Sequence, residues 1–169
     1  MARCVGRRVA PSGLAMAAQL IHVVRHAHAG DRNGWSHDDD LRPLSERGCG
    51  QAERLAGALA ASLPVVVYSS PSLRCIATVL PLARSRSLPV TTMAELYEGG
   101  GAAAMMDRLR SEPRSPVVAC THGDIVADLL GMLIRIGVSL PSRRTEKGST
   151  WTLEVTDRGI SSARYVPPP

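Results

Sequence analysis

Blocks of apolar residues alternate with blocks of mixed polarity along the chain, and each kind has its own period. Leu20-Ile21-His22-Val23-Val24, Val65-Val66-Val67-Tyr68 and Val117-Val118-Ala119-Cys120 are short runs rich in β-branched residues. Runs of that length and composition predict buried strands. Val90-Thr91-Thr92 is a weaker strand signal. Between the runs, apolar positions recur at helical spacing. Ala52, Leu55, Ala56 and Leu59 follow Ser45, a suitable cap, and Glu46, favourable in a first turn. Pro64 stops that helix. Leu73, Ile76, Ala77 and Leu80 follow the turn Ser69-Ser70-Pro71-Ser72, and Pro81 should kink this helix or start a new segment. Residues 102–109 form a short helix, and Thr121-His122-Gly123-Asp124 opens one that runs to about Ile136. Residues 148–155 and 160–165 read as a closing pair of strands. Such alternation predicts an α/β fold with a mostly parallel sheet covered on both faces. The expected layout is a disordered extension over 1–16, one domain over 17–166, and a tail over 167–169.

Composition narrows the classes. The chain has 169 residues, enough for one domain with a substantial core. Phenylalanine is absent, so the core must come from Leu, Val, Ile, Ala and Met, and stacking platforms for single-stranded nucleic acid are scarce. The formal charge of +5 falls to +2 without Arg3, Arg7 and Arg8. No basic stripe runs through the body, which argues against a nucleic-acid partner. Cys4, Cys49, Cys75 and Cys120 are far apart and form no C-x-x-C pair, which fits a reducing, cytoplasmic setting and not a zinc or disulfide framework. No apolar run approaches the roughly 18 residues of a membrane span. The first residues lack a hydrophobic stretch and make a poor signal peptide; Met16 leaves open that they reflect the assigned start.

The chemistry lies where the strands end. Arg25-His26-Ala27-His28 follows the first strand. Ser69 and Ser70 follow the second, with Arg74 one turn into its helix, and Thr121, His122 and Asp124 follow the fourth. In a parallel sheet these carboxyl ends share one edge, where ligand crevices form. Two arginines and two histidines can then converge although they are distant in sequence. Guanidinium forks match the oxygens of a phosphate, and a neutral imidazole nitrogen among cations can act as nucleophile.

Taken together, Arg25-His26-Ala27, Ser69-Ser70-Pro71-Ser72-Leu73-Arg74 with Thr78, Thr121-His122-Gly123-Asp124, and Asp40-Leu41-Arg42-Pro43-Leu44-Ser45-Glu46-Arg47-Gly48 resemble the histidine phosphatase superfamily, the phosphoglycerate-mutase-like group. The likeness is strongest to its small SixA-type phosphohistidine phosphatase branch and to the phosphatase domain attached to some Nudix hydrolases. It extends over about residues 20–166. The resemblance implies a three-layer α/β/α sandwich and a phosphohistidine enzyme intermediate without a cofactor. By position, His26 resembles the nucleophile, and Arg25, Arg74 and His122 the phosphate pocket. The family often places a glutamate in the loop after the third strand; Glu98 fits, with Glu95 second. A carboxylate beside bound phosphate is favoured in its protonated form, as a general acid requires.

His28, Arg32 and Thr121 are expected at possible substrate contacts, and Trp35 could reach substrate from the loop over 31–43. Ser70 and Ser72 read as helix caps, Asp38-Asp39-Asp40 as a solvated run, and Cys120 as a small buried residue. His26-Ala27-His28 with Asp31 lies near a metallo-hydrolase spacing. However, H-x-H-x-D-H needs aspartate where Gly30 stands, and a metal explains neither Arg25 nor Arg74. The expectation is therefore a metal-independent phosphatase acting on a phosphorylated small molecule or a phosphohistidine protein. Two alternatives stand beside it: a phosphate-recognition module without turnover, and a mutase, for which the chain is short of enclosing insertions. Substrate identity and oligomeric state are not legible in the sequence.

Overall fold

A computed structural model describes residues 18–113 and 115–169. The expected extension over 1–16 lies outside the described residues. The elements are β1 (Gln19–Arg25), α1 (Glu46–Ala60), β2 (Val66–Ser69), α2 (Leu73–Ser85), β3 (Val90–Thr92), α3 (Ala102–Arg110), β4 (Val117–Thr121), α4 (Gly123–Arg135), β5 (Thr150–Thr156) and β6 (Gly159–Val166). One six-stranded sheet has the order β3-β2-β4-β1-β5-β6. The first four in that order run parallel, and β5 and β6 close the edge as an antiparallel pair.

β1, β2 and β4 bury both faces, so their side chains divide by period two, while β3 at the sheet edge is largely exposed. Ile21, Val23, Val66, Tyr68, Val117 and Ala119 pack with α3 and α4 through Met105, Leu109, Ile125, Leu129 and Leu133. Val24, Val67, Val118 and Cys120 pack with α1 and α2 through Leu55, Leu59, Cys75, Val79 and Leu82. Helices on both sides of one sheet give three layers.

Three local expectations change. The helix containing Pro81 runs unbroken as α2. Val79, Leu82 and Ala83 around the proline are core residues, and their burial offsets the lost backbone hydrogen bond. The second strand starts at Val66, where its pairing with β4 begins, and leaves the exposed Val65 outside it. The fifth starts at Thr150 and not at 148. Gly148 turns the chain at φ +83° and donates its N–H to the carbonyls of Arg25 and His26, both at 3.1 Å. That turn ties the end of β1 to the loop before β5.

Candidate active site

The carboxyl ends of β1, β4 and β2 meet through backbone bonds. His26 N–H donates to the Thr121 carbonyl at 2.9 Å, and Ser70 N–H to the Cys120 carbonyl at 2.9 Å. Ala27 N–H donates to Thr78 Oγ1 at 2.9 Å, and Thr78 in turn donates to the Arg74 carbonyl at 2.7 Å, which locks the loop after β1 onto α2.

The structure brings His26, Arg25, Arg74, His122 and Glu98 together. His26 is 5% exposed, and its ring centroid lies 5.5 Å from that of His122. Its Nδ1 is 2.8 Å from the Ala27 carbonyl, which can only accept, so Nδ1 carries the proton and Nε2 is the free nitrogen of the neutral ring. Burial pushes the His26 pKa down to about 3; the Ala27 hydrogen bond opposes this, and the charges of His122, Arg74 and Arg25 reinforce it.

Arg74 has no exposed surface. Its Nη1 donates to the Asp39 carbonyl at 2.7 Å, and its Nη2 lies 3.1 Å from Glu98 Oε1 and 3.3 Å from His122 Nδ1. Arg25 donates from Nη1 to the Thr145 carbonyl. The Nε atoms of both arginines are buried without a hydrogen-bond partner among the described residues. Gly123 makes room for Arg25: a Cβ there would stand 2.8 Å from the guanidinium carbon. His122 is fully buried, its Nε2 2.8 Å from Ser70 Oγ and 3.6 Å from Cys75 Sγ.

Glu98 sits in the loop after β3. Its Oε1 contacts Arg74 and, at 3.3 Å, His122 Nδ1, while Oε2 accepts from Arg32 at 3.0 Å. A cleft of about 440 Å³ is lined by Arg25, His26, Arg32, Glu98, Gly123, Asp124 and Thr145, while the fully buried Arg74 and His122 lie behind Glu98 and are not among its lining residues. Glu95, the second candidate in the loop, is not among its lining residues.

Other expectations are corrected. Thr121 is fully buried and donates its hydroxyl to the Leu96 carbonyl at 2.7 Å, so it holds the Glu98 loop and does not face the cleft. His28 turns toward α1, with Nδ1 2.7 Å from Ser45 Oγ and its N–H bonded to Gln51. His28 therefore does not stand beside His26 in the H-x-H manner, and among the described residues no group of three or more His, Cys, Asp or Glu is arranged to hold a metal. Trp35 donates to the Asp38 carbonyl and lines a separate surface depression near Pro43. Ser72 occupies the cap position of α2 but makes no side-chain cap; it donates to Asp40 at 2.7 Å. Ser70 receives the Ser72 N–H at 3.4 Å and serves His122. Arg32 does line the cleft, bridging Asp39 at 2.7 Å and Glu98 at 3.0 Å.

The aspartate run is not merely solvated. Asp39 pairs with Arg42 and Arg32 at 2.7 Å each and with Arg74 at 3.2 Å. The hydrogen bonds from Arg42 and then Arg32 hold its carboxyl far below the usual range. Asp40 accepts from Ser72 and, at 2.8 Å, from Tyr97. The sequence signal was the i, i+3 spacing of Asp39 and Arg42, with Asp39 just ahead of the motif block that begins at Asp40. Burial and then the charges of Arg25 and Arg42 lower the Lys147 pKa, with Asp31 opposing and Arg47 reinforcing the shift, so several cations gather near Arg25.

Comparisons with known proteins bear on the family and the fold. The profile of the histidine phosphatase superfamily (branch 1) matches residues 21–104. An 8-oxo-(d)GTP phosphatase of Mycolicibacterium smegmatis is 35% identical over 159 residues, covering 89% of this chain and 49% of that protein. The chain thus spans about half the length of that curated relative. Among solved structures, the protein histidine phosphatase SixA complexed with tungstate superposes with a TM-score of 0.68 at 20% identity, covering 88% of this chain and 94% of that one. A mycobacterial glucosyl-3-phosphoglycerate phosphatase complexed with VO3 gives 0.65 at 20% identity, covering 89% and 98%. The structural likenesses carry the fold; the sequence matches and the motifs carry the kinship. The chain belongs to the histidine phosphatase superfamily.

Proposed function

We propose that this chain is a phosphatase that hydrolyses phosphomonoester or phosphohistidine substrates through a phosphohistidine formed on His26. The observation that carries the reading is a buried imidazole with its proton held on Nδ1, set beside two guanidinium groups whose Nε–H donors have no protein partner. Tetrahedral oxyanions complement such donors, and cations aimed at the equatorial oxygens are the main device of phosphoryl transfer.

In the first step His26 Nε2 attacks phosphorus and the bond to the leaving group breaks. The leaving atom takes a proton from Glu98. In the second step water attacks the phosphohistidine, Glu98 accepts the water's proton, and inorganic phosphate departs as the P–N bond to His26 breaks. Glu98 shares Arg74 with the phosphate site, so an arriving dianion competes for that guanidinium and loosens the carboxylate. Arg25, Arg74 and His122 hold the phosphoryl group, Ser70 orients His122, and Asp39 positions Arg74. No step requires a metal.

The relative that acts as an 8-oxo-(d)GTP phosphatase and the cations around Lys147 favour a substrate with more than one negative group, such as a nucleotide. The reading places the protein in the cytoplasm, supported by unpaired Cys49, Cys75 and Cys120. Among the described residues no helix is long and apolar enough to cross a membrane. Turnover across phosphorylated proteins, nucleotides and sugar phosphates, with and without chelator, tests the proposal. Hydrolysis that survives chelation and disappears in His26→Ala supports it. Phosphate binding without turnover of any member favours a recognition module, and net phosphoryl transfer to a second sugar phosphate favours a mutase.

A further inference from the structure

A second pocket lies on the other side of β1, between the C-terminal half of α1 and the β1-β5-β6 part of the sheet. Its volume is about 340 Å³, within the range of small-molecule sites. Leu55, Leu59 and Val166 supply apolar wall, while His22, Thr150 and Arg164 supply polar wall. The polar groups are unusual for this position. His22 is 4% exposed and Thr150 2% exposed, yet His22 Nε2 and Thr150 Oγ1 have no hydrogen-bond partner among the described residues. A buried donor or acceptor left without a partner destabilises the fold. A sheet face that only had to pack against α1 would carry valines there, as Val24, Val67 and Val118 do nearby.

We propose that this pocket binds a small carboxylic acid with an apolar body. The hydrogen-bond inventory selects the head group. Thr152 Oγ1 lies 3.0 Å from His22 Nδ1. When the Thr152 hydroxyl donates to Nδ1, Nε2 carries the ring proton and becomes a donor. Burial, and then the charge of Arg164, push the His22 pKa down to about 4, so the ring is neutral near pH 7 and has one such proton to offer. Thr150 offers a hydroxyl proton, and exposed Arg164 forms no ion pair among the described residues. No acidic side chain lines the pocket, whose rim is completed by Pro167 and Pro169. Three donors beside an apolar cavity suit an acceptor-only, negatively charged head on a hydrocarbon or aromatic body. The exposed Arg164 side chain can swing aside to admit it. This site is independent of the phosphatase reading, since it shares no lining residue with the cleft.

Titration of the ¹⁵N-labelled protein with octanoate, octanol and octylamine tests the proposal by amide shift changes. Octanoate is expected to move the amides of His22, Leu59, Thr150 and Thr152 in a saturable way. Octanol should bind at least tenfold more weakly, and octylamine should not bind. Arg164→Gln should weaken octanoate about tenfold. Ala58→Phe, at an exposed rim position, should abolish binding while the rest of the spectrum keeps its folded pattern. Absence of saturable shifts at these residues, equal binding of octanol, or octanoate binding undiminished in Ala58→Phe would each overturn the proposal.

Discussion

His26 should remain unprotonated far into the acid range. An ordinary histidine ionises near 6.5, whereas burial and the surrounding cations bring this one to about 3. The difference corresponds to on the order of 5 kcal/mol in favour of the neutral ring. At pH 5 an ordinary imidazole is about 3% neutral and His26 about 99%, roughly a thirtyfold difference in available nucleophile. The perturbation is pH alone, and the assay is the ¹⁵N shift of the ring nitrogens in protein labelled at its five histidines. A His26→Gln variant identifies the resonances. Nε2 of His26 is expected to show the shift of an unprotonated nitrogen from pH 8 to pH 4.5, with Nδ1 protonated throughout. A midpoint between pH 6 and 7, or the proton on Nε2 at neutral pH, would refute the electrostatic argument. Substrate ionisation cannot mimic this result, because the free protein is observed.

The same shifts bear on stability, and their sign follows from where the proton binds. His22 and His26 stay neutral in the folded state down to about 4 and about 3, while the unfolded chain protonates both near 6.5. Unfolding therefore takes up protons below pH 6.5. Stability is complete above that value and falls between about 6.5 and 4, by up to roughly 2.7 kcal/mol per pH unit for the two together. Urea unfolding of His22→Gln should show a shallower slope in that window, and an unchanged slope would count against a buried neutral His22. Glu98→Gln should lower kcat/KM for alkyl phosphates by about 10²–10⁴, with a much smaller loss on p-nitrophenyl phosphate, whose leaving group needs no proton; equal losses on both would remove Glu98 from the acid role. Gly123→Ala puts a Cβ 2.8 Å from the Arg25 guanidinium carbon, the mobile end of a long side chain. Melting temperature should barely change while kcat/KM falls by about tenfold or more, given that a lost oxyanion donor costs about 10²–10³; full activity would show that Arg25 does not need its present position.

The parts of the fold legible in the sequence were those set by local pattern. Apolar runs marked β1, β2 and β4, and the polar residues just beyond them had to share an edge once the strands were parallel. What local pattern hides is long-range pairing. Asp39 looked like one of three hydrated carboxylates, yet Arg74, 35 residues on, donates to its carbonyl. Thr121 belongs to the same motif as His122, but alternation along β4 turns its side chain to the opposite side, toward Leu96. Pro81 carries a strong local breaking signal that core burial of its neighbours overrides. The bonds of Ser70 to His122 and of His28 to Ser45 depend on rotamers, which residue spacing does not encode.

The central claim is that phosphorus becomes bonded to His26 Nε2 during turnover. Rapid quenching with ³²P-labelled substrate, followed by peptide mapping, tests it directly. A phosphoenzyme that is labile in acid and stable in alkali, carried on the peptide containing His26 and lost in His26→Ala, is the expected result. Steady turnover without a labelled enzyme at any quench time, or label on another residue, would contradict it.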